Sequence, residues 1–297
     1  MNTPSESSLR SGSDRDPEKL SELTAGHRTR TLPPALRPYV VSLMAYDVDL
    51  GGPGVHIGMP ATTLTFVLPV GEPLDVGWAG ERESRGRRWS TVSGLHAHPA
   101  QIHHGGHQQG IQLALTVAGA RALLGVPAAA VSREITELGA VAPGLADLPE
   151  RLADERSWTA RLVVVERALL AALSRNGAPE PRAEVGRALA RLTQGSGVRE
   201  VAQEVGYSRR HLGSLVRAEC GLAPKQYQRV ARFERSHRLL RGAAAVGRPS
   251  LATLSAEAGY ADQAHLTREW TSLAGCSPST WLRTEFPFVQ DFDLGSG

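Results

Sequence analysis

The sequence predicts an α+β chain, with a β-rich plus helical N-terminal domain and an all-α C-terminal domain of two helix-turn-helix units joined by a long helix. Three observations carry this. Between about Tyr39 and Leu115 the apolar residues fall in short runs broken by Gly and Pro, and no helical period survives. From Arg182 onward, by contrast, apolar residues recur at helical spacing between capping residues. Finally, one stretch of the C-terminal region occurs twice.

The N-terminal runs expected as strands are Val40–Tyr46, Thr62–Leu68, Leu74–Trp78 and Ile111–Leu115. Short helices are expected at Ala118–Leu124 and Ala146–Ala153. A longer one is expected from Trp158 to Leu173, where Leu162, Val165, Leu169 and Leu173 share a face. The stretch Ser174–Pro181 reads as a linker. Beyond it, helices are expected at Ala183–Leu192, Val198–Val205, Arg209–Cys220, from Pro224 to about Gly242, Leu251–Ala258, Gln263–Ala274 and from Pro278. Ser208, Ser250, Asp262 and Ser277 serve as N-caps. Gly221 and Gly275 supply the stops.

The repeat is the most specific feature. Glu204-Val-Gly206-Tyr207 matches Glu257-Ala-Gly259-Tyr260. After one inserted residue His211-Leu212 matches His265-Leu266, and Gly221 and Pro224 match Gly275 and Pro278. Each copy is a short helix, a turn whose Gly tolerates left-handed backbone, and a second helix with one apolar stripe. The stripes are Leu212, Leu215 and Val216 in the first copy, and Leu266, Trp270 and Leu273 in the second. A helix polar on its other face can lie in a major groove with that face towards base edges.

Charge agrees with a polyanionic partner. The chain has 297 residues and a net charge of +3, but Arg182–Arg283 holds 16 Lys+Arg against 8 Asp+Glu, leaving 17 and 22 for the rest. Length suggests two domains. No apolar run is long enough to cross a bilayer, and the first 30 residues have no signal-peptide character, so a cytoplasmic protein is expected. Two cysteines, Cys220 and Cys276, exclude a disulfide framework and read as small buried hydrophobes. Signatures of nucleophile elbows, Walker loops, dinucleotide sites and zinc proteases are absent, so no enzyme and no cofactor are expected.

Residues 182–285 resemble the DNA-binding domain of the AraC-type transcriptional regulators. The second unit carries the likeness best, in Gly259-Tyr-Ala-Asp-Gln-Ala-His-Leu-Thr-Arg268, then Gly275-Cys-Ser-Pro278 and Trp281. The resemblance implies two helix-turn-helix units on a long connecting helix and double-stranded DNA as partner. It admits RNA polymerase, a small-molecule effector and a second copy of the chain as further partners. It implies that Gln263, His265 and Arg268 face bases and Thr267 the backbone, with Arg210, Gly213 and Ser214 base-facing in the first unit. With Arg209 and Arg217 these side chains make the DNA-binding set. The first unit departs from the usual pattern, since Gly213 has no side chain and Ser214 is short, which leaves Arg210 and Arg217 to carry most of its reading.

The implied organisation is a disordered tail at 1–30, an effector or dimerisation domain at 31–175, a linker at 176–181, the DNA-binding domain at 182–285 and a tail at 286–297. The connecting helix, at about 1.5 Å per residue, is expected to span roughly 27 Å. At least half of its Arg229, Arg232, Arg235, Arg238 and Arg241 are expected to be solvated or ion-paired. Six of the ten histidines lie between His56 and His107. On a strand His96 and His98 would share a face, so a metal site is physically open. The pair resembles the H-x-H element of cupin barrels, but no carboxylate follows at the expected distance, and locally hydrogen-bonded imidazoles are preferred. Trp78 and Trp89 are expected in the core. The competing readings are a cupin-like metal-binding protein or enzyme with an accessory helical domain, and an adaptor whose basic face meets an acidic protein.

Overall fold

The structure is a computed structural model that describes residues 26–177, 182–247 and 249–284. The N-terminal part is built on two antiparallel sheets. The first has the order β1-β2-β9-β4-β7-β10, formed by His27–Thr29 (β1), Val40–Asp49 (β2), Leu64–Pro69 (β4), Thr91–Ser93 (β7), His107–Leu115 (β9) and Ile135–Thr136 (β10). The second has the order β3-β8-β5-β6, formed by Gly54–Gly58 (β3), Leu74–Trp78 (β5), Gly86–Arg88 (β6) and Ala100–His104 (β8).

Alternation along the strands assigns the two faces of the larger sheet. Leu43, Phe66, Ile111 and Leu113 pack with the helices, while Met44, Tyr46, Val48 and Val67 lie on the opposite face. Being buried on both faces, β2 and β9 carry apolar residues at consecutive positions, which is why they do not show a simple period of two. Leu74, Val76, Trp78, Ala100 and Ile102 make the smaller sheet's own cluster, which Val67 joins.

Helices follow: Val117–Gly119 (α1) running into one wide turn at Ala120–Leu124, then Leu138–Val141 (α2), Leu148–Ala153 (α3) and Trp158–Asn176 (α4). The long helix α4 starts at Ser157, whose side chain accepts from the Ala160 amide, and ends at Gly177 in left-handed backbone. It covers the larger sheet with Leu162, Val165 and Leu169. The strand at 27–29 and an ion pair from Arg30 to Glu166, 2.5 Å, fall within the stretch expected as a tail; the remainder of that stretch, residues 1–25, lies outside the described residues. So do most of the expected linker (178–181) and the C-terminal tail.

The C-terminal helices are Ala183–Thr193 (α5), Val198–Glu204 (α6), Arg209–Cys220 (α7), Pro224–Val246 (α8), Leu251–Ala258 (α9), Gln263–Ala274 (α10) and Pro278–Thr284 (α11). Their core is continuous with that of the N-terminal part: one apolar cluster runs from Leu36 to Trp281. At its C-terminal end Phe233 of α8 meets the Trp270 ring at 5.0 Å, Trp281 lies 6.0 Å from Trp270, and the Trp270 indole donates to Ser236 Oγ at 2.8 Å. Among the described residues no helix is long and apolar enough to cross a membrane.

Two expectations about the N-terminal part need correction. His96 and His98 do not lie on a strand: they occupy the irregular segment between β7 and β8, where His96 Nδ1 donates to the His98 carbonyl at 2.5 Å and its ring stands 4.5 Å from Trp78. Burial lowers the pKa of His96 to about 4 and that of His56 to about 3, so both imidazoles are neutral at pH 7. Among the described residues no group of three or more His, Cys, Asp or Glu is placed to hold a metal ion. Trp78 is buried and donates to the Arg133 carbonyl, whereas Trp89 is half exposed rather than in the core.

Candidate nucleic-acid interface

The two copies of the repeat fold alike, down to individual hydrogen bonds. In the first turn the Gly206 amide donates to the Gln203 carbonyl (3.1 Å) and the Tyr207 amide to that of Ala202 (2.8 Å). In the second the Gly259 amide donates to Ala256 (3.2 Å) and the Tyr260 amide to Ser255 (2.8 Å). Both turn glycines have positive φ, +76° and +85°, which a side chain would resist. Tyr207 then meets His211 edge-on at 4.7 Å, as Tyr260 meets His265 at 5.2 Å.

Each second helix is capped at its start. Ser208 Oγ accepts from the His211 amide, and Asp262 Oδ1 accepts from the His265 amide. Each ends on a left-handed glycine, Gly221 or Gly275. Leu212 and Val216 are buried on α7, as are Leu266, Trp270 and Leu273 on α10. The opposite faces are open. Arg209, Arg210, Ser214 and Arg217 are exposed on α7, with Gly213 half-buried between them; Gln263 and Arg268 are exposed on α10.

Thr267 and His265 are placed differently from these. Thr267 is half-buried and its hydroxyl donates back to the Gln263 carbonyl at 2.9 Å. His265 turns sideways: its Nε2 lies 3.3 Å from Glu269 Oε2. Glu269 is almost completely buried, and it also receives Arg229 (3.3 Å) and Arg232 (2.5 Å) from the connecting helix. Arg232 lies over the Tyr260 ring as well, 4.9 Å from its centre. Glu269 therefore ties the second recognition helix to α8. Spacing could have revealed it, since it stands three residues after Leu266 and four before Leu273, inside the apolar stripe. Glu219 stands likewise inside the stripe of α7, three residues after Val216.

The arginines of α8 divide as its three-residue spacing implies. Arg229 and Arg232 are ion-paired, Arg235 donates to the Thr193 carbonyl, Arg241 is buried and Arg238 is exposed. The helix runs to Val246, past the expected stop at Gly242, so its 23 residues span about 34 Å. That length matches the ~34 Å between successive major-groove faces on one side of a duplex.

A second concave feature lies in the N-terminal part. A cavity of about 750 Å³ opens where Tyr46, Asp75, Arg85, Arg87, His103 and Gln109 converge. Arg85 grips Asp75 with two bonds, 2.8 and 2.7 Å, and holds that carboxyl below its ordinary pKa.

A helix-turn-helix domain family matches residues 201–284. No curated protein matches the chain. Among solved structures, ToxT from Vibrio cholerae is similar at 8% identity, over 87% of this chain and 98% of that one, with a TM-score of 0.48. The C-terminal domain of AraT, a response regulator from Geobacillus stearothermophilus, is similar at 19% identity, over 36% and 93%, with a TM-score of 0.32. The DNA-binding domain of AdpA, a global transcriptional factor in complex with a target DNA, is similar at 26% identity, over 35% and 90%, with a TM-score of 0.30. With a family match that spans both turns, and two units folded alike on one connecting helix, the C-terminal part of this chain is a DNA-binding domain of two helix-turn-helix units.

Proposed function

We propose that residues 182–285 bind duplex DNA sequence-specifically in the cytoplasm, with α7 and α10 in successive major grooves, and that residues 31–175 modulate this binding. One observation supports the reading above others: two matched helices, each polar and exposed on one face, flank a helix whose length equals the groove repeat. Arg209, Arg210, Ser214 and Arg217 are the contacts of the first unit, and Gln263 and Arg268 the outward ones of the second. Thr267 approaches the backbone. His265 acts beside them by fixing the start of α10 against Glu269. Phosphate contacts set register and much of the affinity, and base contacts set preference. The cavity beside Asp75 and Arg85 is the place for a small polar effector. A second copy of the chain and RNA polymerase are the remaining partners of this reading.

Arg268 gives the sharpest test. Its guanidinium is suited to the two acceptors of a guanine. Arg268→Ala is expected to cost about 1–3 kcal/mol on the preferred duplex and to erase preference at one base position. Fluorescence anisotropy on that duplex and its single-base variants measures both. An equal loss on every duplex would make Arg268 a phosphate contact.

A further inference from the structure

The two recognition helices are held from different parts of the chain. On α10 the buried carboxylate, Glu269, binds the connecting helix. On α7 the buried carboxylate, Glu219, binds the N-terminal part: Arg121 Nε donates to Oε1 and Nη2 to Oε2, both at 2.8 Å, across 98 residues of sequence. This parallel fork fixes distance and direction together. Glu219 is 8% exposed on its side chain, so it is desolvated and depends on that partner. The same side of α7 is backed by Ala128–Val131, and Ser132 occupies the space that a Cβ on Gly221 would need. A second tie joins the N-terminal part to the connecting helix: the amide and hydroxyl of Thr62 both donate to buried Glu234 of α8, at 3.1 and 2.6 Å.

The direction of this grip matters. At about 100° per residue, Arg210 lies roughly 180° round the helix from Glu219, Ser214 roughly 140° and Arg217 roughly 200°. Arg121 therefore holds α7 from directly behind the exposed face and leaves that face uncovered. We infer that Arg121, although outside the DNA-binding domain, is a positioning residue for sequence reading by the first unit. It sets the angle at which α7 presents Arg210, Ser214 and Arg217. The inference rests on the reading that α7 enters a groove. It assigns to the N-terminal part a defined role in that reading, delivered through one ion pair.

Selection of duplexes from a random pool by the full-length chain tests it. The wild-type chain is expected to enrich a motif with two blocks. Arg121→Ala is expected to keep the block read by α10, to flatten the block read by α7, and to bind the wild-type motif about tenfold more weakly. Exchanging the pair, Arg121→Glu with Glu219→Arg, is expected to restore the flattened block in part. If Arg121→Ala does not fold, the neutral pair Arg121→Gln with Glu219→Gln leaves no unpaired buried charge, and it is expected to flatten the same block. A wild-type motif reproduced unchanged by a folded Arg121→Ala or neutral-pair chain overturns the inference alone. Absence of any enrichment by the wild-type chain overturns the DNA reading, and the inference with it.

Discussion

Leu266→Asp is expected to unfold the second helix-turn-helix unit and to remove tight DNA binding. Leu266 is completely buried at the centre of the apolar stripe of α10, one turn from Trp270 and two from Leu273. A carboxylate there has no partner, because the nearby cations are committed to Glu269. Placing an unpaired charge in such a site costs more than about 4 kcal/mol, a large part of the 5–15 kcal/mol that holds an ordinary domain together. Circular dichroism is expected to show lost helix and an early transition, while the first unit keeps weak, salt-sensitive binding. Leu212→Asp is the counterpart in the first unit. A variant that melts as the wild type does and binds the selected duplex equally well would show that Leu266 is not a core residue.

Trp270→Ala is expected to destabilise the chain by about 3–5 kcal/mol. The indole is fully buried among Phe233, His237 and Trp281, at centroid distances of 5.0, 5.8 and 6.0 Å, and it donates to Ser236. Its removal leaves a void between α8, α10 and α11 that rigid neighbours fill only in part. The melting transition of the second unit is expected to fall by roughly 10 °C. Trp270→Phe keeps the contact with Phe233 and loses the indole bond, so it is expected to fall less. Equal stability of the alanine variant and the wild type would mean that these helices do not pack on this side chain.

The helical half was legible because its signals are local. The ranges Arg209–Cys220, Leu251–Ala258 and Gln263–Ala274 follow from capping side chains and left-handed glycines one residue away. The connecting helix was read four or five residues short. Gly242 looked like a stop, yet it has open space round it and is followed by Ala243, Ala244 and Ala245, which favour helix strongly enough to continue it. The N-terminal strands were harder. Strands β3, β6, β7 and β8 are three to five residues long, and all but β7 are rich in Gly, His or Arg, so they are held by pairing with distant strands rather than by any pattern of their own. In the interface, the outward faces of α7 and α10 could be read from spacing. What holds those faces could not, because the partner of Glu219 lies 98 residues earlier. A buried acid within an apolar stripe does announce that some partner exists, and both Glu219 and Glu269 carried that sign.

The central claim is that α7 and α10 fill consecutive major grooves on one side of a duplex. Methylation interference at guanine N7, with the full-length chain on its selected duplex, tests it most directly, because that atom is exposed in the major groove. Two blocks of interference are expected, centred about one helical turn apart and on the same face. A single block, or two blocks on opposite faces of the duplex, would contradict the account.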